Sequence, residues 1–222
     1  MTAAAPISEA CYQRYLAALL AGDRPGCADL LQGQLAAGVP LKQIYLDLMQ
    51  RAMYEIGTLW ERNLVSVATE HLASATTEVL LALLYPRLFS QAHKDRRALI
   101  ACVPQEYHQI GARMVADFFE LHGWHGFSLG ANTPSADLLR SIALHDPDVV
   151  GLSMSLLFHR AQLEAMIESV SNAYPALDLL LGGRAFQGDG AGCQAWQELT
   201  AAYPRLRYFA SLNELEEYLS GD

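Results

Sequence analysis

Positive charge is scarce in this sequence of 222 residues. Lysine and arginine number 15 against 24 aspartates and glutamates, which gives a formal net charge of −9 and a pI near 5.2. A surface of this sign has no positive field with which to hold a phosphate backbone. Direct binding to DNA or RNA is therefore not expected.

Cysteine is sparse as well, and long apolar runs are absent. The four cysteines show no CxxC spacing, which argues against a zinc site or a disulfide framework and is typical of a reduced, cytoplasmic protein. Residues 1–6 do not show the positively charged region followed by an apolar stretch that is typical of a secretion signal. Charged residues interrupt each apolar segment before it reaches about 18 residues. We therefore expect neither a signal peptide nor a membrane span.

Helical periodicity marks the first 90 residues. Breaks at residues 22–26, 38–40 and 62–63 divide this region into about four helices, with Ser8 and Ser66 as candidate N-caps. Short connections make successive helices antiparallel neighbours. The pattern predicts a four-helix-bundle cap over residues 1–90, in a chain whose 52% hydrophobic content can support one or two domains.

A polar linker, residues 91–97, separates this region from a different pattern over residues 98–222. There, short β-branched runs alternate with helical segments, which predicts a Rossmann-like (flavodoxin-like) five-stranded parallel sheet with flanking helices. The whole chain is thus assigned to the α + α/β class. The predicted strands are 98–103, 127–129, 149–153, 179–181 and 208–210. In such a sheet a ligand binds at the C-terminal ends of the strands.

An acid and a histidine follow the first predicted strand, within the sequence EYHQIG at residues 106–111. A histidine that binds a metal usually donates its second ring N–H to a carboxylate, and Glu106 is placed to accept it from His108. Gly111 permits a ligand to pass close to the helix backbone. Taken alone, an ExHxxG motif is more often a surface loop with a satisfied histidine.

Two further motifs end the third and fourth predicted strands. Ser153 and Ser155 end the third, while Gly182, Gly183 and then Phe186 follow the fourth. Each motif alone is more often a helix cap or a turn. At neighbouring strand ends, however, they predict a channel lined by hydroxyl groups and floored by glycine.

Together, these residues resemble the DxHxxG, SxL and GG signature of base-off, His-on cobalamin-binding domains. The resemblance implies that cobalamin, as adenosylcobalamin or hydroxocobalamin, is the cofactor and that His108 is the lower axial ligand of its cobalt. It also implies that Ser153 and Ser155 hydrogen-bond the displaced benzimidazole base, and that the glycine pair leaves room for the nucleotide linkage. Two positions depart from the pattern, since Glu106 replaces Asp and Ser155 replaces Leu.

The helical region contains Trp60, followed after nine residues by Glu70 and His71. Read alone, these are a bundle tryptophan and a solvated helix face. The spacing resembles the Wx9EH motif of light-sensing regulators that use adenosylcobalamin, the CarH/LitR type and the AerR-type antirepressors, which also use Glu before the ligating histidine. That resemblance implies that Trp60 packs against the adenosyl group and that Glu70 and His71 complete the upper pocket.

The other histidines lie in polar breaks or at helix ends and are predicted to be surface residues: His93, His122, His125, His145 and His159. His125 and His159 remain candidates for a cobalt ligand in the light state. In the CarH type a histidine directly follows the cap tryptophan and can take the upper cobalt position after illumination. This sequence has Glu61 there, so His71, water or hydroxide are alternatives.

Three functions are compatible with this resemblance. The first is a light- or cobalamin-responsive regulator that acts through a protein partner such as a transcriptional repressor, because the predicted cap begins too close to Met1 for the DNA-binding module of CarH. The second is a corrinoid methyl carrier using methylcobalamin, although such carriers normally have Asp in the first motif and a more open cap. The third is a subunit of a radical mutase, which generally lacks this cap.

The first function is favoured, and we expect the protein to act as an AerR-like antirepressor. No GxSxG, phosphate-loop or HExxH motif occurs, so no enzymatic activity of the chain's own is expected. Any chemistry would belong to the cofactor. The identity of the partner and the oligomeric state are not indicated by the sequence.

Overall fold

The structure, a computed structural model, describes residues 7–90, 92–187 and 190–220. It divides into two compact units, Met1–Pro86 and Arg87–Asp222. This division lies inside the predicted cap 1–90, and Arg97 of the predicted linker already begins the first strand. Residues 1–6, which bear on the expected lack of a secretion signal, and linker residue Gln91 lie outside the described residues.

The first unit is helical. Its helices are α1 (Glu9–Ala21), α2 (Arg24–Ala36), α3 (Leu41–Gln43), a π-helical segment (Ile44–Gln50) that continues into α4 (Arg51–Glu61), and α5 (Val67–Leu84), followed by a 3-10 segment (Tyr85–Ser90). Ser8 and Ser66 act as the predicted N-caps, because each hydroxyl accepts a backbone N–H three residues on. The break after α4 is made by Asn63, whose φ of 57° ends the helix.

Helix α5 packs against α1, α2 and α4. Its inward face is formed by buried residues: Ala73, Thr76, Thr77, Leu80, Leu81 and Leu84. Within the described residues, the segment Val67–Phe89 is long and apolar enough, by length and composition alone, to cross a membrane. Core helices of bundles meet the same criterion, and the packed inner face of α5 is that of a core helix.

The second unit contains a five-stranded parallel sheet in the order β2-β1-β3-β4-β5. The strands are β1 (Arg97–Cys102), β2 (His125–Ser128), β3 (Val149–Ser153), β4 (Asp178–Gly182) and β5 (Leu206–Tyr208). The flanking helices are α6 (Ile110–Leu121), α7 (Ser135–His145), α8 (Arg160–Ala173), α9 (Ala191–Ala202) and α10 (Leu212–Ser220). The predicted fold class is confirmed, since a helical unit precedes a sheet with the flavodoxin-like strand order.

Two strands begin two residues earlier than predicted. The fifth strand begins at Leu206 and not at 208, because buried Leu206 pairs with Leu179 while the N–H of Ala210 is taken by the Glu214 carboxylate at 2.9 Å. The second strand begins at His125, whose N–H donates to the carbonyl of Arg96 at 2.8 Å. In both places backbone pairing, and not side-chain type, sets where the strand starts.

The C-terminal ends of the three central strands lie side by side. Cys102 of β1 pairs with Ser153 of β3, and Ser153 pairs in turn with Gly182 of β4. The chain order reverses between β1 and β3, which is where open parallel sheets bind their ligands. The three motifs found in the sequence therefore meet at one edge of the sheet.

Candidate functional site

Glu106 is fully buried in the loop between β1 and α6. Its Oε1 accepts the backbone N–H of His108 at 2.9 Å and also bonds the His108 Nδ1. Its Oε2 accepts the backbone N–H groups of Ser155 at 2.7 Å and Leu156 at 3.2 Å. One carboxylate thus joins the histidine loop to the loop after β3, and the predicted pairing of Glu106 with His108 is present.

These contacts decide the charge of the site. Burial alone would raise the pKa of Glu106, but the side-chain and backbone N–H groups of His108 and the backbone N–H of Ser155 outweigh burial and lower this pKa to about 2. The carboxylate is therefore ionised at neutral pH and can only accept hydrogen bonds. His108 Nδ1 must then carry a proton, and in the neutral form of the ring Nε2 has a free lone pair.

The free nitrogen of His108 is accessible. The side chain is 39% exposed, and Nε2 has no hydrogen-bond partner within the described part of the chain. No group of three or more His, Cys, Asp or Glu side chains among the described residues can hold a metal ion. The site therefore suits a metal that needs a single protein ligand, as cobalt does when a corrin ring supplies its four equatorial nitrogens.

Hydrogen bonds hold the loop between β1 and α6 in a conformation that includes strained residues. Gln105 and Asn132 both have left-handed conformations, with φ of 68° and 48°. The Asn132 Oδ1 accepts the N–H of Gln105, and the Asn132 N–H donates to the carbonyl of Glu106, both at 2.8 Å. Sequence reasoning missed Asn132, although asparagine before Thr-Pro is a recognisable turn signal.

An open pocket of about 500 Å³ adjoins this pair and is lined by Gln105, Glu106, Tyr107, His108, Leu156, Phe158 and His159. Tyr107 and Phe158 are 69% and 72% exposed, so two aromatic rings are available to a ligand. Gly111, near the start of α6, also has free space beside it, since a Cβ added there would meet no atom within 4 Å. The pocket can accept a large, partly apolar ligand beside the His108 imidazole.

His159 corrects the sequence analysis. It was predicted to lie on the surface, but it is only 2% exposed, because the short 3-10 turn Leu157–His159 folds it against Glu106. Its Nδ1 lies 3.5 Å from Glu106 Oε2. A ring buried to this extent is not available as an open cobalt ligand, so its proposed part in a light state loses support.

The other four histidines are at least partly exposed. His93 stacks on His125 with ring centroids 4.4 Å apart, and His145 packs against Phe127 at 4.5 Å. His122 Nδ1 bonds the carbonyl of Phe118 at 2.8 Å. None of the four lines the pocket beside His108.

The serine and glycine motifs occupy the neighbouring strand ends. Ser153 and Ser155 are partly exposed, and neither hydroxyl has a hydrogen-bond partner in the described ranges, so both are free to bind a polar ligand. A Cβ on Gly183, at φ 115°, would lie 2.1 Å from the Met154 carbonyl oxygen, whereas one on Gly182 would approach nothing closer than 3.8 Å. Gly183 is thus required by packing, and Gly182 leaves open space.

Phe186 differs from the other residues of its motif. It is 1% exposed and packs edge-on against Tyr208 at a centroid distance of 5.8 Å. The aromatic ring therefore belongs to the hydrophobic core beneath the glycine loop. Its structural contribution is to support that loop.

The residues predicted to cover the upper side of the cofactor belong to the first unit. Trp60 is in the last turn of α4 and is 42% exposed. Glu70 and His71 are in the first turn of α5, where Glu70 accepts the hydroxyl of Ser74 at 2.8 Å and the His71 side chain is 73% exposed. The Trp60 and His71 side chains are available to a ligand, and their role stays a prediction.

Comparison with known proteins agrees with this geometry. Residues 11–85 match a family model described as a B12 binding domain, and residues 96–204 match a second model with the same description. The chain is 31% identical over 193 residues to the HTH-type transcriptional repressor CarH of Myxococcus xanthus, covering 86% of this chain and 63% of CarH. It is 33% identical over 119 residues to the repressor CarA of the same organism, covering 54% of this chain and 41% of CarA.

The chain thus spans less than two thirds of the length of either relative. Among solved structures, it is similar to the monomethylamine corrinoid protein of Methanosarcina barkeri, with a TM-score of 0.79 and 16% identity over 96% of this chain and 99% of that one. At this identity the similarity shows the shared fold. The two matched regions together take in most of the sequence. With the Glu106–His108 pair at the switch point, they show that the chain belongs to the B12-binding family and has cobalamin as its cofactor.

Proposed function

We propose that this protein is a light-responsive regulator that binds adenosylcobalamin in the cytoplasm and acts through a protein partner, such as a transcriptional repressor. The observation that carries the proposal is the 31% identity to the repressor CarH over 86% of the chain, combined with the Glu106–His108 pair. Both named relatives are transcriptional repressors. The chain itself is proposed to have no catalytic activity.

In this function the residues of the second unit bind and orient the cofactor. His108 Nε2 is the lower ligand of cobalt, and Glu106 holds the imidazole in the required tautomer and orientation. Ser153 and Ser155 receive the displaced base, Gly111 and Gly182 leave room for the ligand, and Gly183 with Phe186 maintains the loop. When bound, adenosylcobalamin supplies a cobalt–carbon bond that visible light breaks.

The residues of the first unit are proposed to sense the adenosyl group. Light can change the affinity for a partner only by the difference in binding free energy between the two states, and a tenfold change requires about 1.4 kcal/mol. The exposed part of the Trp60 side chain, at 42%, corresponds to about 100 Å² and hence to about 2.5 kcal/mol of apolar burial. Loss of one such contact is large enough to operate the switch.

Charge favours a protein partner over a nucleic acid. The chain has a net charge of −9, which repels a phosphate backbone but can steer association with a basic protein surface. Binding to a purified candidate repressor, measured in the dark and after green illumination with adenosylcobalamin bound, should differ at least tenfold. Equal affinities in the two conditions contradict regulation by light.

The first test of the proposal is the absorption spectrum of protein desalted after dark incubation with adenosylcobalamin, repeated after green illumination. We expect retained cobalamin and a light-dependent spectrum. His108→Ala should lose the His-on spectrum, whereas His145→Ala, which removes a histidine outside the pocket, should match the wild type. An unchanged cobalt spectrum in the His108 variant refutes the ligand assignment.

The same experiment separates the alternative functions. Cobalamin retained without selective photochemistry, with methylcobalamin preferred over adenosylcobalamin, would replace the regulator by a corrinoid methyl carrier. Failure to retain any cobalamin would contradict the proposed use of the site altogether.

A further inference from the structure

A second histidine lies against the carboxylate that orients His108. His159 is 2% exposed, at the end of the Leu157–His159 turn, and its Nδ1 is 3.5 Å from Glu106 Oε2. This Nδ1 is buried and has no hydrogen-bond partner among the described residues. Buried polar atoms in folded proteins generally have a partner, so this nitrogen is expected to pair with the polar group that lies near it.

Among the described residues, the acidic group that lies against this nitrogen is Glu106. Glu106 Oε1 is occupied by two groups of His108, while Oε2 has two backbone donors, of which the Leu156 N–H is long at 3.2 Å. Oε2 can therefore accept a closer donor if Leu156 is displaced slightly. Since the nearest acceptor is an ionised carboxylate, Nδ1 of His159 is the ring nitrogen that carries the proton.

We propose that Glu106 is shared between two imidazoles, and that His159 is a positioning residue which donates Nδ1–H to Oε2 when His108 ligates cobalt. This inference rests on the proposed function, because it assumes that His108 is the cobalt ligand. The His159 ring is 2% exposed and lies against Glu106. It acts through Glu106, as an outer partner that fixes the orientation of a metal-binding histidine.

The physical reason lies in how charge shifts along the three side chains. When His108 shares its Nε2 lone pair with a metal ion, its Nδ1–H becomes a stronger donor and draws Glu106 Oε1 toward it. In this buried site the charge left on Oε2 needs a donor on the opposite side, because little water is present to supply one. Hydrogen bonds that are long in the unliganded protein commonly tighten when a ligand binds, and the 3.5 Å separation is short enough to close in this way.

The test compares three substitutions of one residue. His159→Leu keeps the bulk and removes the donor, His159→Asn places an amide N–H near the position of Nδ1, and His159→Gln places it near that of Nε2. His122→Leu is the control for loss of an imidazole elsewhere in the second unit, because His122 does not line the pocket. Each variant is loaded with cob(II)alamin, and electron paramagnetic resonance measures the fraction with nitrogen hyperfine splitting from an axial histidine.

We expect His159→Leu to lose most of the His-on signal and to bind cobalamin about tenfold more weakly, with His159→Asn restoring both. A second readout uses apoprotein, in which the ¹⁵N chemical shifts of the His108 ring should show one tautomer in the wild type and a mixture in His159→Leu. If the leucine variant does not fold, the contrast between the Asn and Gln variants decides the matter, because only the former places its donor at Oε2.

The outcomes distinguish failure of the His108 ligand assignment from failure of the role proposed for His159. A wild-type protein that binds cobalamin without axial nitrogen splitting overturns the ligand assignment and this inference with it. A wild type with the splitting, and a His159→Leu variant with the same splitting, affinity and His108 tautomer, overturns only the role of His159. A His122→Leu variant as impaired as His159→Leu likewise refutes it, since loss of an imidazole away from the pocket would then have the same effect.

Discussion

The Glu106 carboxylate should stabilise the apoprotein substantially, and Glu106→Gln measures by how much. The carboxylate accepts N–H groups from His108 twice, from Ser155 and from Leu156. A glutamine oxygen can accept two of these, while its NH₂ group faces the others. Loss of two bonds to a charged acceptor costs about 3–6 kcal/mol.

The lowered pKa of Glu106 expresses the effect of the same hydrogen bonds as a free energy. A pKa of about 2 for Glu106 in the folded protein, against about 4.3 for an ordinary glutamate, corresponds to about 3 kcal/mol of stability at neutral pH. Because the folded-state pKa is depressed, this contribution is complete above about pH 5 and is lost as the pH falls toward 2. The difference between the wild type and Glu106→Gln should therefore be about 3 kcal/mol at pH 7 and should shrink over that range.

Urea unfolding of the apoprotein at pH 7 and at pH 3 provides the measurement. Tryptophan fluorescence of a variant in which Trp60 of the first unit is replaced by Phe follows the relevant transition, because Trp124 is fully buried in the second unit. Glu164→Gln is the matched control, because Glu164 is 43% exposed and pairs with Arg160 at the surface, where such a pair contributes less than about 1 kcal/mol. A Glu106→Gln variant within about 1 kcal/mol of the wild type at pH 7, or a difference that does not depend on pH, would refute the reasoning.

Three further changes test neighbouring parts of the site. Gly183→Ala places a Cβ 2.1 Å from a backbone oxygen at φ 115°, so the melting temperature should fall by more than about 8 °C, and a stable variant would contradict the described loop. A Cβ added by Gly111→Ala would meet no atom within 4 Å, so apoprotein stability should change by less than about 0.5 kcal/mol. Cobalamin affinity, measured by titration, should fall, and an unchanged affinity would show that the ligand does not pass close to Gly111. Burial, with a smaller contribution from Glu106, raises the pKa of Cys102 to about 12, so alkylation at pH 8 followed by mass spectrometry should label partly exposed Cys193 well before Cys102.

Local signals made much of the fold predictable. Serine caps before α1 and α5 and the alternation of strands with helices depend on residues close together in sequence, so the helical bundle and the parallel sheet follow from short-range rules. The position of Glu106 two residues before His108 likewise indicated their hydrogen bond. Strand ends were less predictable, because Leu206 joins the sheet through pairing with a residue that is distant in sequence.

Contacts between loops could not be predicted from residues that are close together in sequence. His159 was expected at the surface because it lies at the predicted start of a helix, yet the loop after β3 buries it against a carboxylate from the loop after β1. Asn132 lies in the loop after β2 and supports the histidine loop through hydrogen bonds to Gln105 and Glu106. Such contacts depend on which strand ends are adjacent, and that adjacency is a property of the sheet order.

By itself, the sequence determined the chemistry available at the site: an imidazole two residues from a carboxylate, two hydroxyl groups and a pair of glycines, each following a predicted strand. Only the tertiary structure decided how these groups are used. It pairs Cys102, Ser153 and Gly182 across three strands, buries Glu106 among donors from two loops and leaves one nitrogen of His108 accessible. The physical reason is that residue type sets what a group can donate or accept, whereas burial and neighbouring donors set its charge, its tautomer and its accessibility to a ligand.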